Sequence, residues 1–193
     1  YVPKDPSQFP ASTDWYSTLL RNALIHNHSL DVSGATDRTN YSLGMSYFNQ
    51  EGILAAENGY DRLNFRARLD QTVTTWLDVG VNALVSRYTR TSSDNNAFFQ
   101  AFVNPPVYDV YNDSNKSAYP VKYDSPQLYG FGNSYANPYA VAQYVDNKEK
   151  GTNLIFSTYA QLNFLGDKLN VKTSYNLDYQ TYRTQGYVPE AFV

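Results

Sequence analysis

The feature that most constrains the fold of this chain is a charge-free series of alternate residues in six separate segments. The segments cover residues 27–33, 40–49, 62–73, 77–88, 153–165 and 169–181. Apolar and polar residues alternate in each with period two, which is typical of a β-strand whose two faces meet different surroundings. Charged residues make up 17% of the chain, yet none is among the 27 residues that define the more apolar face. The residues of that face are Leu30, Val32, Tyr41, Leu43, Met45, Tyr47, Leu63, Phe65, Ala67, Leu69, Leu77, Val79, Val81, Ala83, Val85, Leu154, Phe156, Thr158, Ala160, Leu162, Phe164, Leu169, Val171, Thr173, Tyr175, Leu177 and Tyr179.

The opposite face of the same six segments is rich in charged and amide side chains. Lys or Arg facing lipid at the bilayer midplane costs about 2–4 kcal/mol, so a membrane strand keeps such groups on its other side. This face therefore predicts the polar wall of a water-filled or plugged lumen. The charged residues that we expect to face the lumen are Arg66, Arg68, Asp70, Asp78, Lys172 and Asp178.

The connections between the segments alternate between short and long. Residues 34–39, 74–76 and 166–168 are short turns, whereas residues 50–61 and 89–152 are long. Outer-membrane barrels have this asymmetry, with short periplasmic turns and long external loops. Because the smallest such barrels have about 8 strands, we expect these six to belong to a longer chain. The alternative is a soluble β-sandwich, which also alternates but buries its apolar face against a second sheet.

Composition excludes several other classes of protein. The 193 residues carry a formal net charge of −3, which offers no electrostatic footprint for nucleic acid. The chain has no Cys, and therefore no disulfide framework or thiolate metal site. No run approaches the roughly 18 apolar residues of a transmembrane helix, so a membrane crossing has to use strands.

The long loop at residues 89–152 contains many aromatic residues among Asn, Ser and Pro. Tyrosine rings offer stacking area and a hydroxyl group, which suit sugar rings and peptide backbones. The alternative is that the rings only pack the loop, close the mouth or contact a partner. The predicted ligand or partner contacts are Tyr108, Tyr111, Tyr119, Tyr123 and Tyr129. Rings near strand ends, at Tyr47, Trp76, Tyr88, Tyr175 and Tyr179, are expected at the membrane-water boundary.

Metal and catalytic sites have weak support. His26 and His28 share one strand face but have no third ligand nearby, so hydrogen bonding at the strand entrance is the simpler interpretation. Asp109, Asn112, Asp113 and Asn115 supply oxygen atoms for calcium, but Asx turns explain the same cluster and the EF-hand spacing is absent. The sequence contains no Gly-x-Ser-x-Gly motif of serine hydrolases, no His-Glu-x-x-His motif of metalloproteases and no glycine-rich phosphate-binding loop. We therefore expect no enzyme activity, no bound metal and no cofactor.

An ordered set of short motifs resembles the early barrel of SusC/RagA-type TonB-dependent outer-membrane transporters. The resemblance is close over residues 13–90, with weaker similarity at 137–139 and 144–147. The motifs are Thr13-Asp14-Trp15, residues 27–34 (NHSLDVSG), 39–43 (TNYSL), 47–52 (YFNQEG), 60–62 (YDR), 66–70 (RARLD) and 76–82 (WLDVGVN).

The resemblance implies an all-β fold, in which the six strands are the second to the seventh of a 22-stranded antiparallel transmembrane β-barrel around a plug. Residues 1–25 are then the end of an extracellular loop, residues 26–184 a partial barrel and residues 185–193 the start of the next loop. It also implies import of an oligosaccharide or oligopeptide across the bacterial outer membrane. The implied partners are a SusD-like surface lipoprotein, the TonB complex acting through a plug, the lipid bilayer with its lipopolysaccharide, and a glycan or peptide substrate. The alternative is a surface β-protein that does not transport but acts as a structural or adhesive partner.

Overall fold

Six antiparallel strands form one open sheet, in which each strand pairs with its neighbours along the chain. The computed structural model describes residues 11–94, 96–114, 123–144, 146–165 and 168–187. The all-β prediction is confirmed. No second sheet covers this one among the described residues, so the sandwich alternative is not supported. The strands are β1 (Ile25–Ala35), β2 (Thr39–Glu51), β3 (Gly59–Thr74), β4 (Leu77–Ser92), β5 (Asp146–Phe164) and β6 (Leu169–Tyr187).

The strands extend further toward the long loops than the apolar alternation predicts. β5 begins at Asp146 rather than near residue 153, and β6 continues to Tyr187 rather than ending near 181. The added length is polar; Lys148, for example, pairs with Gln185. Backbone hydrogen bonds of a ladder do not require apolar side chains, so pairing continues where the two-faced pattern stops.

The register of the sheet brings the charge-free positions of all six strands onto one continuous face. One cross-strand row runs Val32, Leu43, Ala67, Ala83, Phe156, Leu177. These side chains lie on the surface: Leu43 is 44% exposed and Phe65 is 49% exposed. The sheet thus presents an apolar face that the described part of the chain leaves uncovered. We call it the charge-free face, and the opposite side the polar face.

Threonine hydroxyls stabilise two of the three predicted short turns. Between β1 and β2 the Thr36 hydroxyl accepts hydrogen bonds from the backbone N–H groups of Arg38 and Thr39, at 3.3 and 3.1 Å. Between β3 and β4 the Thr74 hydroxyl accepts one from the N–H of Trp76. Such local side-chain bonds replace ladder bonds where the strand reverses. They support the predicted tight connections at this end of the sheet.

At the other end of the sheet the predicted polar loop contains a folded helical unit. We call it the cap: residues 11–24, 52–58, 93–94, 96–114 and 123–144. It contains α1 (Trp15–Leu19), α2 (Asn96–Val103), a 3₁₀ turn (Pro126–Tyr129) and α3 (Pro138–Tyr144). Its core residues are Trp15, Leu19, Leu54, Ala56, Ala97, Ala101, Tyr108, Val141 and Ala142. Across the described ranges, none of the helices is long and apolar enough to span a membrane.

The motif Thr13-Asp14-Trp15 fastens α1 to the rest of the cap. The Thr13 hydroxyl donates to the carbonyl of Tyr108 at 2.6 Å, and the indole Nε1 of Trp15 donates to the carbonyl of Pro105 at 3.2 Å. The Asp14 carboxylate caps α1 by accepting from the backbone N–H groups of its first turn. This part of the family-like sequence therefore joins two chain segments about 90 residues apart.

Candidate functional site

The predicted lumen residues share the polar face of the sheet, and neighbouring strands link them. The Arg66 guanidinium donates to Asp31 Oδ1 at 2.7 Å, which joins β3 to β1 across Gly44 of β2. Arg68 pairs with Asp70 at 2.8 Å within β3. The Arg66–Asp31 pair and the Arg68 guanidinium are exposed to water, so these ion pairs contribute little to stability. Their effect is to hold an ordered, hydrated charge pattern on this face.

The remaining predicted lumen residues lie on the same face. The Asp78 carboxylate accepts from the Thr72 hydroxyl at 2.7 Å and from Asn163 Nδ2 at 2.8 Å. The Lys172 ammonium lies 4.1 Å from the centre of the Tyr159 ring, a cation–π contact. Asp178 is exposed on β6 opposite Ile155. The register thus gives all six charged residues a common surface, while their role in a lumen stays a prediction.

An aromatic surface that the sequence analysis did not predict lies where the polar face meets the cap. The rings of Phe48, Tyr60 and Tyr88 follow one another across three strands at 6.1 and 5.9 Å between centres. The guanidinium of Arg62 lies 6.0 Å from the Phe48 ring, and that of Arg90 lies 5.8 Å from the Tyr60 ring. We call these five residues the mouth surface. Extending the alternation to register positions beyond the apolar segments could have found it.

One of the rings predicted at the membrane-water boundary, Tyr88, belongs to the mouth surface instead. Tyr88 was expected at the membrane-water boundary, but it lies on the polar face, since the charge-free positions of β4 have odd numbers and position 88 is even. Its hydroxyl donates to Glu149 Oε1 at 3.0 Å. Beside it is an open cavity of about 340 Å³ lined by Gln50, Glu51, Gly52, Gly59, Tyr60 and Arg90. Rings, guanidinium groups and carboxylates together can stack on a solute and hydrogen-bond to it.

Two of the predicted contact tyrosines are buried in the cap. Tyr108 has no exposed surface, and its ring packs 4.8 Å from that of Trp15. Its hydroxyl donates to Asn104 Oδ1 at 2.6 Å, and burial raises the pKa of the Tyr108 phenol. Tyr123 is 7% exposed, and burial raises the pKa of its phenol as well. The structure thus disagrees with a ligand contact at Tyr108 and Tyr123, because both rings serve the packing of the cap.

The other predicted contact tyrosines differ in position. Tyr111 is 54% exposed and stacks 5.5 Å from the Tyr123 ring, so its outer face is available to a ligand or partner. Tyr129 is half-buried, and its hydroxyl donates to Asp124 Oδ2 at 2.9 Å. Burial is the larger cause and that hydrogen bond the smaller one, and together they raise the pKa of Tyr129 to about 12. Tyr119 lies outside the described residues.

The candidate metal ligands do not converge in the described part of the chain. His26 and His28 stack with ring centres 6.2 Å apart, and no group of three or more His, Cys, Asp or Glu side chains suited to a metal occurs there. In the Asx-rich segment, Asn112 donates its amide to Asp124 Oδ1 at 2.9 Å and accepts from the N–H of Ser114, which is an Asx turn. Asn115 lies outside the described residues.

Comparisons with known proteins identify relatives among TonB-dependent receptors. The chain is 32% identical over 111 residues to a TonB-dependent receptor of Formosa agariphila, which corresponds to 58% of this chain and 11% of that receptor. It is 26% identical over 178 residues to a second TonB-dependent receptor of the same organism, covering 87% of this chain and 17% of the receptor. The chain therefore spans less than a fifth of either relative. No protein-family model matches the sequence.

Solved structures match the fold of this chain over most of its length. The sheet and cap superpose on a chain of the RagAB peptide importer in the closed-closed state with a TM-score of 0.73, at 20% identity, over 96% of this chain and 21% of that one. A second RagAB peptide transporter structure matches with a TM-score of 0.69, at 20% identity, over 92% of this chain and 20% of that one. The resemblance to SusC/RagA-type TonB-dependent transporters is confirmed, and the fold is that of part of such a barrel.

Proposed function

We propose that this chain forms part of the wall and mouth of a TonB-dependent nutrient importer in the bacterial outer membrane. Its relatives are named TonB-dependent receptors, and the RagAB structures that share its fold are described as a peptide importer. An oligopeptide or oligosaccharide is the proposed cargo. A SusD-like surface lipoprotein is the proposed partner outside the cell, and the TonB complex supplies the energy through a plug elsewhere in the protein.

The observation that carries this proposal is the two-faced sheet. Its charge-free face is continuous over six strands and is not covered by any described residue, whereas its polar face carries ion pairs, amide networks and the mouth surface. Hydrocarbon tolerates strands only when their backbone groups are paired and their outward side chains are apolar. Paired neighbouring strands with an apolar exterior and a hydrated interior meet both conditions. The rest of the proposed importer supplies the closure of the barrel.

The proposed mechanism assigns this chain a passive and non-catalytic role. Solute delivered from outside meets the mouth surface, where Tyr60 and Arg90 border the open cavity. Below it the polar face offers alternating charges and amides, with Arg66 and Asp70 among them, so a polar solute exchanges hydrogen bonds as it moves. The cap lies beside this entrance, since Gly52 of the cap lines the cavity together with Tyr60 and Arg90.

Two adjacent substitutions test the membrane placement in the full-length protein. Val81 is central in the apolar part of β4, and Asn82 is exposed on the polar face. Val81→Arg places a cation in hydrocarbon at a cost of about 2–4 kcal/mol, whereas Asn82→Arg places the same cation in water. We expect V81R to lower the amount of folded barrel in the outer membrane and N82R to leave it near the wild-type level. Equal assembly of the two variants, or a native protein that stays monomeric without detergent, overturns the membrane placement.

Uptake by cells tests the importer role separately from membrane assembly. Tyr60→Ala removes the central ring of the mouth surface, and Tyr182→Ala removes an exposed ring from the polar face of β6 as a control. We expect Y60A to reduce uptake of the transported peptide or glycan by up to about 10-fold, since one stacking ring contributes roughly 0.5–1.5 kcal/mol. A correctly assembled full-length protein that supports no energy-dependent uptake of either class contradicts the importer role and favours a structural or adhesive one.

A further inference from the structure

The charge-free face continues toward the cap into two rows that contain three cations. The last fully apolar row contains Val85 and Leu154. The next row toward the cap consists of Leu63, Arg87, Thr152 and Thr181, and the row after it consists of Asp61, Thr89, Lys150 and Arg183. All of these positions project from the same side as the apolar residues, because each is separated from them by an even number of residues. We call Arg87, Lys150 and Arg183 the outer cation cluster.

Two members of this cluster are placed where they repel each other. Lys150 and Arg183 are directly opposite on β5 and β6, a position in which like charges destabilise a sheet. Arg87 lies on the adjacent strand, one row closer to the apolar residues. Nothing in the fold of the described chain accounts for this arrangement, since a threonine at any of the three positions would pair at least as well.

Within the described ranges, no carboxylate neutralises the outer cation cluster. None of its three side chains forms a hydrogen bond or an ion pair with another described residue, and all three are exposed. The nearest acid on the same rows, Asp61, accepts hydrogen bonds from Tyr47 and Asn49 instead. Lys148, further out on this face, provides a contrast because it contacts Glu57 at 2.8 Å and Asp146 at 3.4 Å. On this face the outermost cation, Lys148, is therefore paired, whereas the three cations of the cluster, which lie nearer the apolar rows, have no partner among the described residues.

The height of the cluster above the apolar rows matches the headgroup layer of a bilayer. The two rows lie two and four residues beyond Val85 and Leu154, which at about 3.3 Å per residue and a tilt near 40° places them roughly 5 and 10 Å higher. Headgroups occupy a layer of about 5–8 Å on each side of the hydrocarbon. Long Lys and Arg side chains reach further by extending toward the interface. Arg87 thus lies within this layer, and Lys150 and Arg183 lie just beyond it, from where their long side chains can reach the lipid phosphates.

We propose that the outer cation cluster binds the phosphate groups of an outer-leaflet glycolipid. Guanidinium groups bind phosphate oxygens through two parallel hydrogen bonds, and a shared anion relieves the repulsion between Lys150 and Arg183. The proposal depends on the proposed function, because it requires the charge-free face to contact the bilayer. It adds a lipid site on the outside of the sheet, away from the mouth surface through which solute enters.

A matched pair of double variants in the purified full-length protein tests the site. Lys150→Gln with Arg183→Gln removes two cations from the cluster, and Arg62→Gln with Arg90→Gln removes two cations at a similar level on the polar face. Binding of diphosphorylated lipid A is measured by native mass spectrometry, with dephosphorylated lipid A and inorganic phosphate as further probes. Each lost cation weakens attraction to an anionic lipid about fivefold, so we expect a decrease of about 25-fold in K150Q/R183Q and less than twofold in R62Q/R90Q.

Further measurements distinguish loss of charge from disturbed folding, and binding of a lipid headgroup from binding of a free anion. We expect Lys150→Arg with Arg183→Lys to retain lipid A binding, which distinguishes lost charge from disturbed folding. Equal losses in the two glutamine variants, or equal binding of the dephosphorylated lipid, overturn the proposal. Displacement of lipid A by equimolar inorganic phosphate also overturns it, because the site then binds free anions. If V81R and N82R assemble equally, the membrane placement fails; if only the lipid result is negative, the importer proposal stands.

Discussion

The ring of Tyr159 on β5 lies across Gly80 on β4, where any Cβ atom would overlap it. This lets the phenol reach over β4 to β3, where its hydroxyl donates to Asp70 Oδ1 at 2.8 Å. Three strands are therefore joined through one side chain on the polar face. The Lys172 ammonium also contacts this ring, 4.1 Å from its centre, so the absence of a side chain at Gly80 permits both contacts of Tyr159. A side chain here is excluded by space rather than by backbone conformation.

Gly80→Ala is predicted to destabilise the folded sheet by about 1–3 kcal/mol, because the added methyl group displaces the Tyr159 ring and breaks its bond to Asp70. Gly132→Ala is the control, since the nearest atom to its Cβ is 4.0 Å away. Denaturation of the full-length protein in detergent measures both changes. In a Tyr159→Ala background the cost of G80A is expected to disappear; an undiminished cost there contradicts the explanation.

Trp15→Ala is predicted to open the cap without unfolding the sheet. The ring is 4% exposed and packs on Tyr108, and truncating a buried Trp costs about 3–5 kcal/mol. Hydrogen exchange should therefore accelerate in residues 96–114 and 138–144, while β3 and β4 keep their protection. Tyr16→Ala serves as the control because Tyr16 is 44% exposed on the same helix. Faster exchange in the strands of W15A would show that cap and sheet unfold together.

Alkaline pH is predicted to open the cap. Folding raises the pKa of Tyr129 to about 12, from an ordinary value of 10.0, so the neutral phenol is the form that the folded cap favours. The stabilisation is complete below pH 10, declines as the pH rises through the interval between 10 and 12, and is lost above it. Burial raises the pKa values of Tyr108 and Tyr123 in the same direction.

Ultraviolet absorbance of tyrosinate, measured together with hydrogen exchange of residues 123–144, checks this pH dependence. We expect ionisation of the buried phenols and loss of protection to coincide. Tyr129→Phe removes the ionisable group and should make the loss of stability between pH 10 and 12 smaller. The explanation is wrong if all phenols ionise near pH 10 while the cap stays protected.

Much of the sheet could be predicted because the relevant information is local. Alternation places Phe65 and Arg66 on opposite faces of their strand whatever the rest of the chain does, since successive side chains of a strand point to opposite sides. The same rule, continued past the apolar segments, would have placed Tyr88 on the polar face and revealed the mouth surface. The strand ends could not be found in this way, because pairing of Lys148 with Gln185 depends on the partner strand and not on apolar content.

Alternation alone was enough to predict the more apolar side of each of the six strands, and short motifs were enough to indicate which family the chain resembles. Packing was needed to show that the long loop is a folded cap, that Tyr108 and Tyr123 are buried while Tyr111 is exposed, and that Lys150 and Arg183 are neighbours. These features join residues far apart in the chain: the side chain of Thr13, for example, contacts the backbone of Tyr108 across 95 positions. Burial and charge pairing of this kind arise from packing, and a residue-by-residue pattern carries no record of it.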